Sequence, residues 1–259
     1  MNPRLHNLAP TKTGLARALS KLGICSRGQA AELIRAGKVS LNGVVRQDPE
    51  TPVRLGKDRI EVDGQQLTAT TKIYLVLNKP RGIVTTASDE KGRDTVYALL
   101  GAEHPWVAPV GRLDKASEGL LLLTNDSEWG ARVTAPETHL DKTYHVQIGT
   151  IADGALIESL KNGIRTKEGE TLRVKNASLV RQGVRNSWLE IILDEGKNRH
   201  IRRMLEALGI EVLRLIRVAT GTLALGDLAK GAVRHLGTDE KLALDRVMRL
   251  NRNKIARNL

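Results

Sequence analysis

Aromatic side chains are scarce in this sequence. The 259 residues contain three Trp, three Tyr and no Phe, so aromatic residues make up 2% of the chain. Proteins that read RNA on a sheet surface, or hold single strands on stacking platforms, use several aromatic side chains in series. The composition therefore argues against base stacking as the main way in which this chain would hold a nucleic acid.

Thiol and metal-ligand patterns are also nearly absent. The single Cys25 excludes an internal disulfide and a site of several thiolates, which favours the reducing cytoplasm. The six histidines are scattered, and no pair flanks a glutamate at the one-turn spacing of a catalytic zinc helix. No two glycines lie two or four residues apart, so the dinucleotide-binding fingerprint and the hydrolase nucleophile elbow are missing. We therefore expect no metal and no cofactor.

Long apolar runs are missing as well. A run such as Gly119–Leu123 is far too short to span a bilayer, and residues 1–14 lack the apolar centre of a signal peptide. We therefore expect a soluble, cytoplasmic protein that does not act at a membrane.

Positive charge is what the sequence has in excess. Lys plus Arg number 41 and Asp plus Glu number 29, which gives a net charge of +12. Such an excess favours a polyanionic partner, because each phosphate that a cation neutralises releases counterions. A nucleic acid bound by this chain would be held mainly through charge, backbone and shape.

Two short helices and a hairpin are predicted near the start of the chain. Leucines recur at helical spacing over residues 15–22. Ser26 and Gln29 have the spacing of a capping box, which predicts the start of a second helix. Asn42-Gly43 lies between apolar alternations and predicts a tight hairpin turn, because both residues tolerate a positive φ.

Basic residues punctuate this module. Each of them alone is compatible with a solvated helix face. The whole pattern of residues 14–67, with Leu22-Gly-Ile-Cys-Ser-Arg27, Gly37-Lys-Val and Asn42-Gly43, resembles the S4-like RNA-binding domain. The resemblance implies RNA binding but no particular reaction, because this domain is attached to many different proteins. The RNA-binding candidates in this module are Arg17, Lys21, Arg27, Arg35, Lys38 and Arg46.

Strands dominate the remainder of the chain. The predicted strands cover residues 73–77, 83–85, 119–124, 143–148, 172–179 and 188–193, and the predicted helices cover 153–161 and 200–208. Because the helices are interspersed irregularly among strands, a mixed α+β fold is favoured over a regular parallel barrel.

One loop carries a carboxylate between two cations. Asp114 follows Arg112 and precedes Lys115, just before the apolar residues 120–123. Loops at the end of a rigid strand often hold reactive groups. From these residues alone, an Asp that caps the turn or pairs with Arg112 remains the alternative.

Three ordered motifs give this loop a context. The segment Gly111–Asp126 contains Arg-Leu-Asp and then Ser-Glu-Gly-Leu-Leu-Leu-Leu-Thr-Asn-Asp. Lys142-Thr-Tyr-His-Val146 and Glu195-Gly-Lys-Asn-Arg-His-Ile-Arg-Arg-Met204 follow, and Asn78-Lys-Pro-Arg-Gly82 precedes. From about residue 73 to 237 the chain resembles the bacterial rRNA pseudouridine synthases. The resemblance implies a catalytic domain on a mixed, mainly antiparallel sheet, preceded by the S4-like domain.

The implied reaction is the isomerisation of uridine to pseudouridine. The bond from the ribose anomeric carbon to the base nitrogen breaks, the base turns, and carbon 5 of the base is joined to the sugar. This chemistry needs an ionised carboxylate at the sugar, and by resemblance Asp114 supplies it, as nucleophile or by assisting an elimination. Arg202 would keep Asp114 ionised. Tyr144 would stack on the turned base and help to remove the carbon 5 proton.

Each of these roles has an ordinary structural alternative. Arg202 has the spacing for a surface pair with Glu206, and Tyr144 has the pattern of a half-buried strand tyrosine. Arg112 is a candidate for filling the space of the extracted uridine or for holding a phosphate. His200 stands where the family usually has Gln, and both residues can donate a hydrogen bond. The other candidates for phosphate contacts are Lys79, Arg81, Lys197, Arg199 and Arg203.

We therefore expect an rRNA pseudouridine synthase without a metal or other cofactor. Its third motif resembles large-subunit enzymes more than small-subunit ones, which favours 23S over 16S rRNA as the substrate, either free or in an assembling particle. We expect the chain to act as a monomer. A non-catalytic rRNA-binding assembly factor on the same scaffold is the alternative. A glycoside hydrolase using Asp114 and Glu118 suits this basic, aromatic-poor chain less well. The expected divisions are a flexible tail (1–13), the S4-like domain (14–67), a linker (68–72), the catalytic domain (73–240) and a basic C-terminal tail (241–259).

Overall fold

The computed structural model describes residues 12–68, 70–86, 92–101 and 104–257. The strands are β1 (Thr13–Gly14), β2 (Val39–Leu41), β3 (Val44–Arg46), β4 (Pro52–Val53), β5 (Ile60–Val62), β6 (Gln65–Gln66), β7 (Tyr74–Lys79), β8 (Ala108–Val110), β9 (Glu118–Thr124), β10 (Lys142–Ile148), β11 (Ile164–Arg165), β12 (Thr171–Leu172), β13 (Asn176–Gln182), β14 (Ser187–Leu193), β15 (Val212–Thr220), β16 (Leu223–Ala224) and β17 (Val233–His235). The helices are α1 (Leu15–Lys21), α2 (Arg27–Arg35), α3 (Ser127–Thr134), α4 (Gly154–Asn162), α5 (His200–Ala207) and α6 (Thr238–Arg257), with 3₁₀ turns at Val96–Leu99 and Pro136–Thr138.

The chain divides into two compact units. The first unit holds the described residues up to 73 together with 104–108 and 124–128, and the second unit holds the rest. The tail expected at residues 1–13 lies almost entirely outside the described residues, although Thr13 already belongs to β1 and pairs with Val53. Of the helices in the described ranges, none combines the length and apolar character that crossing a membrane requires.

The first unit contains the predicted helices and hairpin. Ser26 Oγ accepts from the backbone N–H of Gln29 at 3.2 Å, and Gln29 Oε1 accepts from the backbone N–H of Ser26 at 3.0 Å, so the capping box of α2 is complete. Asn42 and Gly43 have φ values of +53° and +80°, as the tight turn between β2 and β3 requires. The strands form a four-stranded sheet in the order β3-β2-β5-β6, which together with α1 and α2 encloses the unit's apolar core.

The second unit is built on a nine-stranded sheet of described residues. The main order is β13-β14-β10-β15-β9-β7-β17, with β16 beside β15 and β8 beside β9. The strands from β13 to β15 pair antiparallel, as do β7 and β17, whereas β9 and β15 pair parallel. Every residue of β9 is buried, which explains its unbroken apolar run. The mixed α+β fold expected from the sequence is confirmed.

Two of the predicted strands differ from those in the structure. The strand predicted at residues 172–179 is divided into β12 and β13, since the N–H of Val174 bonds to Leu160 of α4 instead of a strand. The strand predicted at residues 83–85 is reduced to one bridge between Val84 and Thr95.

The basic C-terminal segment expected to be a tail from residue 241 is instead helix α6 through Arg257. Leu244 and Met248 are buried in the same core as the fully buried Trp129, whose Nε1 donates to Asp245 at 2.9 Å. The apolar spacing in this segment reflects core packing, so its first half belongs to the second unit.

Close approach of two strands requires a glycine at position 119. Gly119 lies opposite Arg217 in the parallel pair of β9 and β15 and has a φ of +103°. A Cβ at this position would overlap the carbonyl oxygen of Arg217. The left-handed conformation and the missing side chain are therefore both needed here.

We predict that Gly119→Ala lowers the free energy of unfolding by about 2–5 kcal/mol. Left-handed strain contributes about 1–2 kcal/mol and overpacking about 1–3 kcal/mol. Gly82→Ala is the matched control, because Gly82 has a φ of +98° but no described neighbour within 4 Å of the place that an added Cβ would take. It should show the strain alone. Urea unfolding of both variants measures the difference, and equal losses would mean that the close approach of the strands does not exclude a side chain.

Candidate active site

A cleft of about 580 Å³ opens in the second unit. Its walls come from the loop after β8, from β10, from the segment between β14 and α5, and from β15. Asp114 and Tyr144, from the first two sequence motifs, line this cleft together with residues 195–201 of the third motif. The fold thus gathers three distant stretches of sequence around one cavity.

Asp114 lies in the loop between β8 and β9. Its backbone oxygen accepts a 2.9 Å hydrogen bond from the N–H of Ser117, and the oxygen of Leu113 accepts one of 2.8 Å from Thr85 Oγ1. The side chain is half-buried, and its carboxylate has no hydrogen bond or ion pair with any other described residue. The alternatives of a turn cap or a pair with Arg112 are therefore not what this structure contains.

Lys79 has a different role from the phosphate contact expected of it. Its side chain is fully buried, and Nζ donates to the backbone oxygens of Ser117 at 2.9 Å, Pro80 at 3.0 Å and Asp114 at 3.2 Å. An ammonium group has three donors, and all three are used. Lys79 is out of reach of a phosphate and instead anchors the loop that carries Asp114.

Burial changes the acidity of this anchor. Desolvation lowers the pKa of Lys79 from 10.5 to about 8, and the charges of Asp114 and Glu118 oppose the shift without cancelling it. Among the described residues, no carboxylate lies within 4.0 Å of its Nζ. Carbonyl dipoles are therefore the direct partners of this buried charge.

Tyr144 enters the cleft beside two cations. Its cross-strand neighbour on β15 is Arg217, which is buried and donates from Nε to the oxygen of Leu120 at 2.6 Å. Lys142 also lines the cleft, and its pKa is lowered first by burial and then by the charge of Arg217. Sequence reasoning assigned neither cation to the site. β15 itself was not predicted, because arginines interrupt its apolar alternation.

Arg202 lies near Asp114 but does not touch it. Its Nη2 donates to the oxygen of Ala116 at 3.0 Å, and no ion pair within 4.0 Å joins it to Asp114 among the described residues. Burial and then the charge of Arg199 lower the pKa of Arg202, while Asp114 raises it. The partnership with Asp114 that the resemblance implies is therefore not a direct ion pair in this structure. The alternative pair with Glu206 does not form either.

Two other cations of the third motif are already paired. Glu170 lies 3.1 Å from Lys197 Nζ and 2.8 Å from Arg203 Nη2. Glu195 also lies 3.2 Å from Lys197 Nζ, and Glu168 lies 3.3 Å from Arg203 Nη2. These pairs lower the pKa of Glu170 and raise those of both cations, with hydrogen bonding as the first cause. The expected phosphate contacts of Lys197 and Arg203 would have to displace these carboxylates.

The remaining candidate cations are placed at the surface. Arg81, Arg112 and Arg199 are exposed, and none has an ion pair with a described residue. Arg199 has a φ of +50° and precedes α5 as its N-cap. In the first unit, Lys21 pairs with Glu128 at 2.8 Å. The exposed candidates of that unit are Arg17, Arg27, Arg35, Lys38 and Arg46.

His200 is a buried residue at the cleft, not a surface group. Its Nε2 lies 3.0 Å from the oxygen of Arg173, and because a carbonyl only accepts, Nε2 carries the proton. Burial lowers the pKa of His200, so the ring is neutral near pH 7. A glutamine can reproduce the same donated hydrogen bond.

Glu118, the second carboxylate of the glycoside hydrolase alternative, is already paired with two cations. The side chain is buried, lies 2.6 Å from Lys230 Nζ and accepts two 3.1 Å hydrogen bonds from Arg214. These bonds lower its pKa despite burial. The described part of the chain contains no cluster of three or more side chains that could hold a metal ion.

Comparisons with known proteins agree with this geometry. Residues 73–207 match the model of the family described as RNA pseudouridylate synthase, and residues 13–67 match that of the S4 domain. The chain is 37% identical to ribosomal large subunit pseudouridine synthase B of Bacillus subtilis, over 87% of this chain and 93% of that protein. It is also 37% identical to an uncharacterized RNA pseudouridine synthase of Aquifex aeolicus, over 86% and 89%. A solved pseudouridylate synthase aligns with a TM-score of 0.63 and 29% identity, over 90% of this chain and 99% of that one.

The anchor of the Asp114 loop generates a pH prediction. Because the pKa of Lys79 is about 8 when folded and 10.5 when unfolded, the unfolded state holds more protons between these values, and the stability rises with pH across this window. Lys79→Met removes the group, so the free energy of unfolding should rise less from pH 8 to 10.5 than in the unchanged protein.

Denaturant unfolding at several pH values measures this difference. Lys57→Met, which changes an exposed lysine, should follow the pH dependence of the unchanged protein. If the free energy of unfolding changes with pH in the same way for all three proteins, the lowered pKa of Lys79 is contradicted.

Proposed function

The chain belongs to the RNA pseudouridylate synthase family, and we propose that it converts a specific uridine of large-subunit ribosomal RNA to pseudouridine, with Asp114 acting at the ribose anomeric carbon. The choice of 23S rRNA is supported by the relative from Bacillus subtilis, which is named as a large-subunit enzyme and is similar over most of both chains.

The observation that carries the proposal is the unpaired carboxylate of Asp114 in the cleft. Its oxygens have no partner among the described residues, while the backbone of its loop is fixed by Lys79 and Thr85. A group that is held by its backbone and free at its side chain is prepared to meet a sugar carbon. Either attack on the anomeric carbon or assistance to an elimination uses the same position.

Two neighbours have supporting roles in this proposal. Tyr144 offers the aromatic face on which the detached base stacks, and its hydroxyl is the group proposed to help remove the carbon 5 proton. Arg202, fixed on Ala116 two residues beyond Asp114, is proposed to balance the negative charge of the Asp114 carboxylate through space. Arg112, exposed at the cleft, is proposed to hold the RNA where the uridine leaves the stack.

Mapping pseudouridine in rRNA tests the proposal. In cells that lack this protein, one pseudouridine of 23S rRNA should be missing. The unchanged gene should restore it, whereas Asp114→Asn should lower the rate on the order of 10³-fold or more, because the amide cannot replace an ionised group. Asp227→Asn is the control, since Asp227 is exposed and its carboxylate has no hydrogen bond or ion pair with a described residue.

If every pseudouridine of 23S rRNA is still present in cells that lack the protein, the proposed substrate is contradicted. Full activity of Asp114→Asn would contradict the role of the carboxylate. If the purified unchanged protein converts no uridine, and Asp114→Asn restores the site in cells as well as the unchanged gene does, the non-catalytic assembly factor is the better description.

The exposed cations of the first unit are proposed to hold RNA phosphates. Replacing Arg17, Arg27, Arg35 and Lys38 together with Gln should weaken rRNA binding and flatten its salt dependence, by roughly 0.7–0.9 in log–log slope for each phosphate that is no longer neutralised. Lys161→Gln, which changes a lysine already paired with Glu158, should leave the slope unchanged. Filter binding at several salt concentrations measures both. An unchanged slope in the quadruple variant would contradict this assignment.

A further inference from the structure

Arg217 is a buried cation whose charge has no partner among the described residues. Its side chain is nearly inaccessible, and Nε is fixed by the 2.6 Å hydrogen bond to the oxygen of Leu120. Within the described ranges, no carboxylate lies within 4.0 Å of the guanidinium. Arg214, on the same strand, differs in this respect because it pairs with Glu118. A buried charge without a counterion destabilises the fold. We therefore expect the counterion of Arg217 to come from a bound molecule.

The free end of the guanidinium belongs to the cleft. Neither Nη atom of Arg217 bonds to a described residue, and neither is sealed from solvent, whereas Arg202 Nε is sealed. Because the residue is buried and lines the cleft, the opening that reaches these atoms is the cleft itself. Two NH2 groups without a partner among the described residues thus belong to a side chain that lines the cavity and is fixed at Nε.

The neighbours of Arg217 define what it would meet. Tyr144 is its cross-strand neighbour in the pairing of β10 with β15, next to a register shift between Thr143 and Tyr144, and both residues line the cleft. A base that stacks on the Tyr144 ring would therefore have an edge within reach of the guanidinium. Lys142 adds a second positive charge to the same part of the cleft.

The reaction supplies a negative charge at this edge. When the bond between the anomeric carbon and N1 breaks, its electron pair remains with the base, and the charge is shared by the O2 and O4 oxygens. When the carbon 5 bond forms, the carbon 5 proton leaves and a proton returns to N1. The detached base is therefore an anion only between these two steps.

We propose that Arg217 binds a carbonyl oxygen of the detached uracil through its Nη groups and stabilises the negative charge of the base. This inference rests on the proposed role of Asp114 at the sugar, and it adds a residue that acts on the leaving base. A fixed donor stabilises developing charge strongly, because it needs no reorganisation when the charge appears.

The test compares two bases that differ in how well they carry a negative charge. A synthetic rRNA fragment carries either uridine or 5-fluorouridine at the position found by mapping, and fluorine stabilises the anion of the base. Arg217→Gln should slow consumption of uridine about 100-fold under single turnover, in the range found for one lost oxyanion donor. Consumption of 5-fluorouridine should slow much less. The rate for 5-fluorouridine divided by the rate for uridine should therefore rise about tenfold or more.

The ratio is insensitive to partial misfolding, because inactive protein lowers both rates equally. Arg217→Lys keeps the positive charge but lacks the two NH2 groups of the guanidinium, so it should give an intermediate ratio. It also provides the measurement if Arg217→Gln is too slow for either substrate. Arg181→Gln, on exposed strand β13, is the control and should leave both rates unchanged.

Two results would overturn the inference. Equal slowing of both substrates would assign Arg217 a purely structural role. A loss confined to RNA affinity, with a flatter salt dependence, would make it a phosphate contact. Failure of the proposed function is seen separately, as undiminished activity of Asp114→Asn.

Discussion

The loop that carries Asp114 is held at two of its carbonyl groups by the buried ammonium group of Lys79. The third hydrogen bond of Lys79 goes to Pro80, which directly follows it in the chain, so the two donors that remain both hold the loop. The constraint joins the end of β7 to the turn before β9, and the backbone of Asp114 is thereby fixed from the neighbouring strand. The Asp114 carboxylate needs no hydrogen bond of its own to be positioned, and it remains available in the cleft.

The opposite side of the cleft is organised by close contact between β9 and β15. Gly119 permits the backbone of Arg217 to approach, and the Arg217 side chain returns to the oxygen of Leu120, the next residue of β9. Glu118, on the other side of Gly119, pairs with Arg214 of β15 and with Lys230. Three consecutive residues of β9 thus position two arginines of β15 in different ways. Arg214 is paired with a carboxylate, whereas Arg217 is held by a backbone oxygen and has no carboxylate partner among the described residues.

Much of this architecture was predictable from the sequence, because it rests on local patterns. The capping box at Ser26, the Asn42-Gly43 turn and the apolar run of β9 each have a periodicity or a residue pair that fixes the local backbone. Asp114 and Tyr144, which line the same cleft, could be selected from the sequence because each lies in a short, contiguous motif. The position of Lys79 was not predictable, since a lysine beside a turn is ordinarily solvated, and only the assembled fold shows three carbonyl groups around it. Arg217 was missed for the same reason, because its burial depends on a strand 97 residues away.

The parallel pairing of β9 and β15 also determines when the cleft comes into existence. Contacts between residues nearly a hundred positions apart form late and slowly, because a long loop must close before they add any stability. During synthesis, Asp114 emerges with its loop and with Lys79, but the wall that carries Arg217 follows only after most of the chain has been made. A partly synthesised chain that ends before β15 therefore contains Asp114 and its loop without the wall of the cleft that Arg217 supplies.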